Sequence, residues 1–332
     1  MFPALRERVA WLSLGRWPTP VTEARRFAEA HGLRSLFVKR EDLSHRVCGG
    51  NKVRGLEFIL ADAQRRGART LATIGVTGSH HVAKTAWHAR QLGLNTLAVV
   101  VKQPPAEYVQ RNLATAAAAG AVLIHANRLT LVPRFAARYL GAWLREGQRP
   151  YFIPPGGTSP LACLGHVNAA LELKGQIDAG LLPEPDYLYV ALGSLGTAAG
   201  LLAGCKLAGL RTRLVGVVVS HRWYCTAGRW TRLARRVARL LRRQDPTMNP
   251  VDIAKSDATV VGGVLGKGYA LPTDSSSRLA AEFLTAEGLE LDPTYTAKAL
   301  DGAMQFIESN GLQDRTHMFW QTYHAATAQD AG

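Results

Sequence analysis

The stretch of sequence that decides the fold is Lys39-Arg40-Glu41-Asp42-Leu43-Ser44, followed by Gly49-Gly50-Asn51-Lys52-Val53-Arg54. Directly behind it, apolar residues recur at helical spacing and predict a helix with one apolar face; they are Val53, Leu56, Ile59, Leu60 and Ala63. Lys52 therefore lies at the N-terminus of a predicted helix, immediately after two glycines and an asparagine.

This position changes the expected chemistry of the Lys52 amine. The positive end of the helix dipole disfavours a second cation, and partial desolvation lowers an ammonium pKa from about 10.4 toward neutrality. A neutral amine condenses with carbonyl groups, so Lys52 is a candidate to hold an aldehyde as a Schiff base. On residue type alone, a solvated lysine after a loop is the commoner case, and the rest of the sequence has to decide.

The bulk properties indicate a globular chain. Its 332 residues suffice for one large or two moderate domains, and 47% of them are hydrophobic against 20% charged. No apolar run approaches the roughly 20 residues of a membrane span, and residues 1–8 lack the apolar core of a signal peptide. We therefore expect a cytoplasmic location. The four cysteines are far apart in sequence, which argues against disulfides or a structural metal site.

The net charge of +15 raises the question of nucleic-acid binding. Much of the excess lies in seven arginines between Arg229 and Arg243, and apolar residues of the same stretch fall on the other side of a helix. A solvated arginine face on a core-packed helix is the simpler interpretation. No recognised nucleic-acid-binding motif accompanies the stretch. We expect no nucleic-acid partner, and keep such binding as a minority hypothesis.

Strand-like apolar runs alternate with helical patterns along most of the chain. The runs are 70–74, 94–101, 121–124, 187–192 and 214–219. Continuous apolar strands that alternate with helices indicate parallel sheets covered by helices on both faces. We predict an α/β fold of two three-layer α/β/α domains, with mostly parallel sheets and a cleft between the domains.

Three further motifs accompany the lysine segment. They are Gly75-Val76-Thr77-Gly78-Ser79-His80-His81, Leu192-Gly193-Ser194-Leu195-Gly196-Thr197 and Leu291-Asp292-Pro293-Thr294-Tyr295-Thr296-Ala297-Lys298. The second one follows a predicted strand and opens a helical pattern, so its backbone N–H groups form a candidate anion site. Taken alone, the same glycines are also explained by a sterically tight joint between a strand and a helix.

The four motifs together resemble those of fold-type II pyridoxal-phosphate enzymes, the group related to the tryptophan synthase β-subunit. Within that group, the chain most resembles the D-cysteine desulfhydrase and aminocyclopropane-carboxylate deaminase family, over nearly its whole length. The resemblance implies pyridoxal 5′-phosphate as cofactor, a tryptophan synthase β-like fold and a homodimer. By the same analogy, residues 52–160 form a small α/β domain inserted into a large cofactor-binding domain of residues 1–51 and 161–332.

The resemblance also implies which residues bind the cofactor. Lys52 would carry it and Asn51 would lie beside it, while the phosphate would be bound by Gly193, Ser194, Leu195, Gly196 and Thr197. Leu195 replaces a glycine of the family pattern. That replacement is tolerated only if Leu195 needs no positive φ, where its side chain would be strained.

The C-terminal motif is assigned in the same way. Thr296 would face the pyridine nitrogen as a neutral partner, where the deaminase branch has glutamate, which argues against cyclopropane ring opening. Tyr295 would border the substrate. Tyr269, in a Gly-Tyr-x-x-Pro turn of the family type, would lie near it. From residue type alone, a Tyr-Thr pair at a helix start is more often explained by capping and packing, and a packing role for Tyr269 is as well founded as a contact with the substrate.

The remaining motif contains the largest departure from the family pattern. Ser79 would lie near the reacting carbon, but His80 occupies the place of an asparagine that bonds the pyridoxal phenolic oxygen. An imidazole can also donate to that oxygen, although it is bulkier and titrates near neutral pH. A metal site formed by His80 and His81 is not expected, because neighbours on a helix point apart.

The sequence thus predicts a pyridoxal-phosphate-dependent lyase. The expected reaction is α,β-elimination and deamination of a small amino acid, as in a D-cysteine desulfhydrase, with a 2-oxo acid and ammonia as products. Lys52 or Ser79 would remove the α-proton, and Tyr295 and Tyr269 complete the predicted catalytic set. The alternatives are an aminocyclopropane-carboxylate deaminase-like or racemase activity, or a binding protein that keeps the fold without catalysis.

Overall fold

The computed structural model describes residues 8–127 and 129–325, apart from the side chain of Glu107. The first seven residues, on which the expectation about a signal peptide largely rests, lie outside the described residues. The described helices and strands alternate through most of the chain, in agreement with the predicted α/β class.

The strands, numbered in chain order, are β1 (Val21–Glu23), β2 (Ser35–Arg40), β3 (Thr70–Val76), β4 (Asn95–Val101), β5 (Val122–Ala126), β6 (Tyr151–Ile153), β7 (Tyr187–Leu192), β8 (Arg213–Val218), β9 (Ala258–Val261) and β10 (Thr316–Gln321). The α-helices are α1 (Arg25–Ala30), α2 (Lys52–Arg65), α3 (His80–Gln91), α4 (Glu107–Ala118), α5 (Leu131–Glu146), α6 (Pro160–Asp178), α7 (Gly196–Leu207), α8 (Ala227–Gln244), α9 (Asp274–Glu287) and α10 (Thr296–Ser309). All five predicted strand runs are strands in the structure, within two residues at their ends.

The larger sheet has the strand order β1-β2-β10-β7-β8-β9 and is parallel except for β1. Helices cover both of its faces. Leu188 and Val190 of β7 pack with α6, α7 and α8, whereas Tyr189, between them, packs with α10 on the opposite face. Successive side chains of a strand point to opposite faces, so a continuous apolar run fits a sheet buried on both sides.

The smaller sheet has the order β5-β4-β3-β6 and is entirely parallel. Its strands fall within residues 70–153, inside the span predicted for an inserted domain. The boundaries at residues 52 and 160 stay a prediction, because α2 contributes to both cores. Phe58 packs into the core of the larger sheet, whereas Leu56 and Ile59 pack against β3 and β6 of the smaller one.

A buried ionic cluster fixes the start of α2. The Arg54 guanidinium donates from Nε and Nη2 to the two carboxylate oxygens of Glu41, at 2.6 and 2.7 Å. Arg54 also pairs with Glu172 of α6, and Lys39 of β2 donates to the same carboxylate. Gly165 of α6 lies so close to α2 that an added Cβ would be 2.1 Å from the Arg54 carbonyl oxygen. The helix that begins with Lys52 is therefore held rigidly by charge pairing and close packing.

The arginine-rich stretch forms α8. Its buried side includes Trp230, Ala234, Val237 and Leu241, and all seven arginines are exposed. This arrangement matches the predicted core-packed helix with a solvated basic face. Among the residues that the structure describes, no helix combines the length and the apolar composition needed to cross a membrane.

Candidate active site

A cavity of about 550 Å³ lies at the carboxyl ends of strands from both sheets. Ile74 to Val76 come from the end of β3, Gly193 follows β7, Ser220 follows β8 and Thr322 follows β10. Ligands of open parallel sheets bind at this edge, because the loops that leave the strands converge there. Of the predicted site residues, the cavity is lined by Asn51, Lys52, Ser79, His80, Gly193, Ser194, Leu195, Gly196, Thr197, Tyr269 and Tyr295.

Lys52 is the first residue of α2 and lines this cavity. The preceding turn requires glycine, since Gly50 has a φ of +94° and an added Cβ would lie 2.8 Å from the Thr322 carbonyl oxygen. Lys52 Nζ donates to the carbonyl oxygen of Gly156 at 3.0 Å. Burial, together with the nearby charge of Lys84, lowers the pKa of Lys52 to about 8. A substantial fraction of the amine is therefore neutral near physiological pH.

The glycine-rich turn joins β7 to α7 and exposes a helix N-terminus to the cavity. Leu195 has a φ of +67°, so the condition that it needs no positive φ does not hold. That backbone conformation costs a leucine about 1–2 kcal/mol. The Leu195 side chain is buried in the core beneath the larger sheet, and burying a leucine contributes about 1.5–3 kcal/mol. Packing therefore offsets the strain.

Hydroxyl groups complete this turn as an anion site. Thr158 donates to Ser194 Oγ at 2.7 Å, and Asn51 Nδ2 donates to Thr197 Oγ1 at 2.8 Å. The first N–H groups of a helix have no intrahelical partner and point toward whatever lies ahead of the N-terminus. An added Cβ on Gly196 would lie 2.9 Å from Thr158 Oγ1, so a larger residue would displace the Thr158 side chain. The turn can bind a phosphate through backbone and hydroxyl donors.

Ser79 caps the N-terminus of α3. Its Oγ accepts a hydrogen bond from the Val82 N–H at 3.3 Å, which satisfies one free amide of the first turn. A serine hydroxyl carries one hydrogen in addition to its acceptor sites. Ser79 can therefore still donate to a ligand in the cavity that it lines.

Two tyrosines meet on another wall of the cavity. The hydroxyl groups of Tyr269 and Tyr295 are hydrogen-bonded to each other. Burial raises the pKa of both phenols, and for Tyr295 the neighbouring Tyr269 raises it further. Both therefore act as neutral hydroxyl groups rather than as phenolates, and they form a polar patch in the region assigned to the substrate.

Thr296 is the one predicted site residue that does not line the cavity in the described structure. It is buried, and its hydroxyl donates to Asp292 Oδ1 at 2.8 Å. A hydroxyl has one hydrogen, so Thr296 cannot donate to a ring nitrogen while this bond persists. Asp292 lines the cavity instead, and its carboxylate accepts from the backbone N–H groups of Thr294, Tyr295 and Thr296.

His80 is a neutral residue in this environment. Burial lowers its pKa well below the ordinary value, and the charges of Lys84 and Lys52 lower it further. Its Nδ1 lies 3.0 Å from Nδ2 of Asn112, and that amide also donates to the Gly78 carbonyl oxygen. The carbonyl oxygen of Gly78 can only accept a hydrogen bond, so the atom of Asn112 that contacts it is the NH₂ nitrogen. The same NH₂ group faces His80, and Nδ1 of His80 is therefore an acceptor. The proton of the imidazole is therefore on Nε2.

Lys84 and Asp292 are among the wall residues to which the sequence analysis assigned no role. Lys84 follows His80 by four residues on a helix, so the two share a face, and that spacing was an available signal. Asp292 precedes the helix whose first N–H groups it caps, which was also visible in the sequence. Among the described residues, no cluster of three histidine, cysteine, aspartate or glutamate side chains could hold a metal ion.

The family model described as "Pyridoxal-phosphate dependent enzyme" matches residues 12–320. The chain is 37% identical over 324 residues to the nocardicin C-9′ epimerase of Nocardia uniformis subsp. tsuyamanensis, covering 94% of this chain and 93% of the relative. It is 32% identical over 317 residues to the D-cysteine desulfhydrase of Klebsiella pneumoniae (strain 342), covering 90% of this chain and 88% of that relative.

Solved structures agree with the sequence relatives. A crystal structure of an aminocyclopropane-carboxylate deaminase homologue superposes with a TM-score of 0.82 at 29% identity, covering 97% of this chain and 95% of that one. A threonine deaminase isoform from Solanum lycopersicum has a TM-score of 0.62 at 14% identity, covering 99% of this chain and 83% of that one, and shows the fold alone. The prediction of fold type II is confirmed.

The residues of the cavity fit pyridoxal phosphate. The turn after β7 supplies donors for a phosphate and contains no carboxylate, and Asp292 is the one acidic residue among the described residues of the wall. Lys52 supplies an amine whose pKa of about 8 leaves part of it free to condense with an aldehyde. With the match of residues 12–320, these features show that the chain belongs to the family of pyridoxal-phosphate-dependent enzymes.

Proposed function

We propose that the protein is a pyridoxal-phosphate-dependent lyase that eliminates a β-substituent from a small amino acid and releases a 2-oxo acid and ammonia. With D-cysteine and water the products are pyruvate, ammonia and hydrogen sulfide. The single observation that carries the proposal is the partly neutral Lys52 amine in one cavity with the anion-binding turn after β7. The D-cysteine desulfhydrase relative supports this choice of reaction.

The chain's own residues have separable tasks in this proposal. Lys52 binds the cofactor covalently, and the turn from Gly193 to Thr197 holds its phosphate. When bound, pyridoxal phosphate withdraws the electron pair left at the α-carbon of an amino acid after a bond to that carbon is broken. Lys52 Nζ, once displaced by the substrate amine, accepts the α-proton. Ser79 donates to the substrate, and the Tyr269–Tyr295 pair borders it.

The first test of this proposal is spectroscopic. The purified chain with added pyridoxal phosphate should develop the visible absorption of a lysine-bound pyridoxal, and Lys52→Ala should not. Lys206→Ala, which changes an exposed lysine outside the cavity, is the matched control and should behave like the wild type. Retention of the absorption in Lys52→Ala would refute the anchor assignment.

Epimerisation of an amino-acid centre is the second candidate. It is favoured by the epimerase relative, whose sequence identity to this chain is 37%, against 32% for the desulfhydrase relative. Removal of the α-proton is common to both reactions. They differ afterwards, because an epimerase returns a proton to the opposite face and an eliminating enzyme loses the β-substituent.

A substrate panel separates these candidates. Both enantiomers of cysteine and serine, together with aminocyclopropane carboxylate, are incubated with the loaded protein in deuterated water. Keto acid and ammonia indicate elimination or deamination, whereas inversion with deuterium at the α-carbon indicates epimerisation. Cofactor uptake without turnover of any substrate would favour a non-catalytic binding protein. We also propose a homodimer on the strength of the family resemblance, to be checked by light scattering.

A further inference from the structure

Lys84 is a second amine in the wall of the cavity, and the mechanism above does not use it. The residue is only 6% exposed. Within residues 8–127 and 129–325 it has no hydrogen bond and no ion pair, and it lines the cavity together with Lys52. Burial lowers the pKa of Lys84, so its ammonium form is costly there unless a ligand supplies an anionic partner. Lys84 therefore points to an anionic atom of a bound molecule.

Lys84 lies close to the lysine that anchors the cofactor. Its Nζ is 3.5 Å from the point where a Cβ on Gly50 would be, two residues before Lys52. The charge of Lys84 also lowers the pKa of Lys52, as two neighbouring cations must. An anionic group held next to Lys52 Nζ is consequently within the influence of Lys84.

His80 cannot supply a donor at the same place. Its Nδ1 accepts from Asn112, as described above. Its Nε2 carries the proton, but this atom is buried and has no partner among the described residues. A nitrogen that pointed into a 550 Å³ cavity would be accessible to solvent, so Nε2 points elsewhere. His80 therefore does not offer its Nε2–H to the cavity, contrary to the sequence-based interpretation that its imidazole donates to the cofactor.

The chemistry of pyridoxal phosphate identifies the atom that Lys84 meets. The phenolic oxygen of the cofactor is on the ring carbon adjacent to the one that bears the aldehyde, so it lies beside Lys52 Nζ whenever the cofactor is attached. We propose that Lys84, and not His80, donates to the phenolic oxygen of bound pyridoxal phosphate and stabilises its anionic form. This inference rests on the proposed function, because it requires that Lys52 carries the cofactor.

The other titratable groups around Lys84 leave this assignment intact. On the cavity side they are Lys52 and Asp292, and Asp292 is occupied by backbone N–H donors and by Thr296. On the remaining sides they are Cys48, His45, His80, His88 and His324. Tyr108, Arg111 and Tyr323 line a small cavity with Lys84. Burial lowers the pKa of the histidines and raises that of the Cys48 thiol and of both phenols, so these groups are neutral near pH 7. Arg111 is positively charged and offers Lys84 no anionic partner.

The experiment compares Lys84→Gln with His80→Phe in the full chain loaded with pyridoxal phosphate. The readouts are the pH titration of the visible absorption and the affinity for the cofactor. A nearby cation shifts the pKa of an anionic group downward by about 1–3 units, so Lys84→Gln should raise the apparent pKa of the chromophore by about that amount. Affinity should fall about tenfold, the expected loss for a charge-assisted hydrogen bond. His80→Phe should leave the titration unchanged. Lys84→Arg keeps a positive charge and should give an apparent pKa between that of the wild type and that of Lys84→Gln.

Each outcome is decisive. An unshifted titration in a folded Lys84→Gln protein, checked by circular dichroism, overturns the inference, as does a shift produced by His80→Phe alone. If Lys84→Gln does not fold, the same comparison is made with Lys84→Met, and a titration unchanged from the wild type overturns the inference there too. If the wild type takes up no cofactor through Lys52, the proposed function fails first. A normal wild-type spectrum with no effect at Lys84 rejects only the role of Lys84.

Discussion

The hydroxyl oxygen of Tyr269 lies 2.5 Å from that of Tyr295, so the two phenols share one hydrogen bond at the cavity wall. Either Tyr269→Phe or Tyr295→Phe removes this bond. We expect each change to lower kcat/KM for the substrate about tenfold, the scale of one lost hydrogen bond, and to leave cofactor absorption unchanged.

The double variant Tyr269→Phe/Tyr295→Phe is the control for this prediction. Because both single changes remove the same interaction, their effects should not add, and the double variant should lose little more than either single variant. Steady-state kinetics on all four proteins measures this. Two independent, multiplicative losses would show that the phenols act separately.

Capture of the cofactor should depend on pH through Lys52. Its folded pKa of about 8 is below that of an ordinary lysine, so the amine is mostly protonated below that pH and mostly neutral above it. Only the neutral form attacks an aldehyde. The rate at which added pyridoxal phosphate becomes lysine-bound should therefore rise with pH, with a midpoint near 8, as followed by visible absorption.

Removing the neighbouring charge should move this midpoint. Lys84 lowers the pKa of Lys52, so Lys84→Met should shift the midpoint of cofactor capture to higher pH. Lys206→Met changes an exposed lysine outside the cavity and should leave it in place. A wild-type midpoint at the ordinary lysine value would contradict the desolvation of Lys52.

The strained backbone at Leu195 predicts an inverted order of stability. Inside a helix or strand, a protein with glycine is less stable than one with alanine by about 0.5–1 kcal/mol. At the φ of +67° found for Leu195, alanine keeps the strain that glycine releases. We expect Leu195→Gly to have a free energy of unfolding at least as high as that of Leu195→Ala, with both below the wild type because the buried side chain is lost.

Leu192 is the matched position for that comparison. It is also buried and lies in β7, three residues earlier, without a positive φ. There the ordinary order should return, with Leu192→Ala more stable than Leu192→Gly in urea unfolding followed by fluorescence. The same order at both positions would argue that Leu195 is not strained.

The buried ionic cluster should be sensitive to the loss of one member. Arg54→Met leaves the Glu41 carboxylate, which is fully buried, without its bidentate partner. We expect the free energy of unfolding to fall by about 3–5 kcal/mol. Lys174→Ala removes an exposed ion pair with Asp178 and should cost less than about 1 kcal/mol. Similar losses in urea titrations of the two variants would contradict this difference.

The sequence predicted those parts of the fold that are local and apolar. The runs that became β3, β4, β5, β7 and β8 were continuous and apolar, and α2 showed its helical spacing directly. β10 was not predicted, since Thr316, His317 and Gln321 interrupt its apolar pattern. These polar residues are buried because β10 pairs between β2 and β7, strands far from it in sequence.

The candidate site was predicted to a similar extent. All eleven predicted site residues other than Thr296 belong to motifs recognised in the sequence, and the structure brings them to one cavity. The positive φ of Leu195 depends on how its side chain packs, and the orientation of the His80 imidazole depends on its contact with Asn112. Neither can be predicted from a local sequence pattern. The spacing from His80 placed Lys84 on the same helix face, but the absence of a partner for Lys84 among the described residues appears only in the structure.

The hydrogen bond from Asn51 to Thr197 holds the starts of α2 and α7 side by side at the cavity. Each helix start carries about half a positive charge, and the chain as a whole has a net charge of +15. Doubly charged anions in dilute solution will consequently be drawn toward this opening over distances comparable to the Debye length. Their encounter rate should drop steeply as ionic strength rises, whereas neutral molecules of the same size should meet the protein equally fast in all buffers.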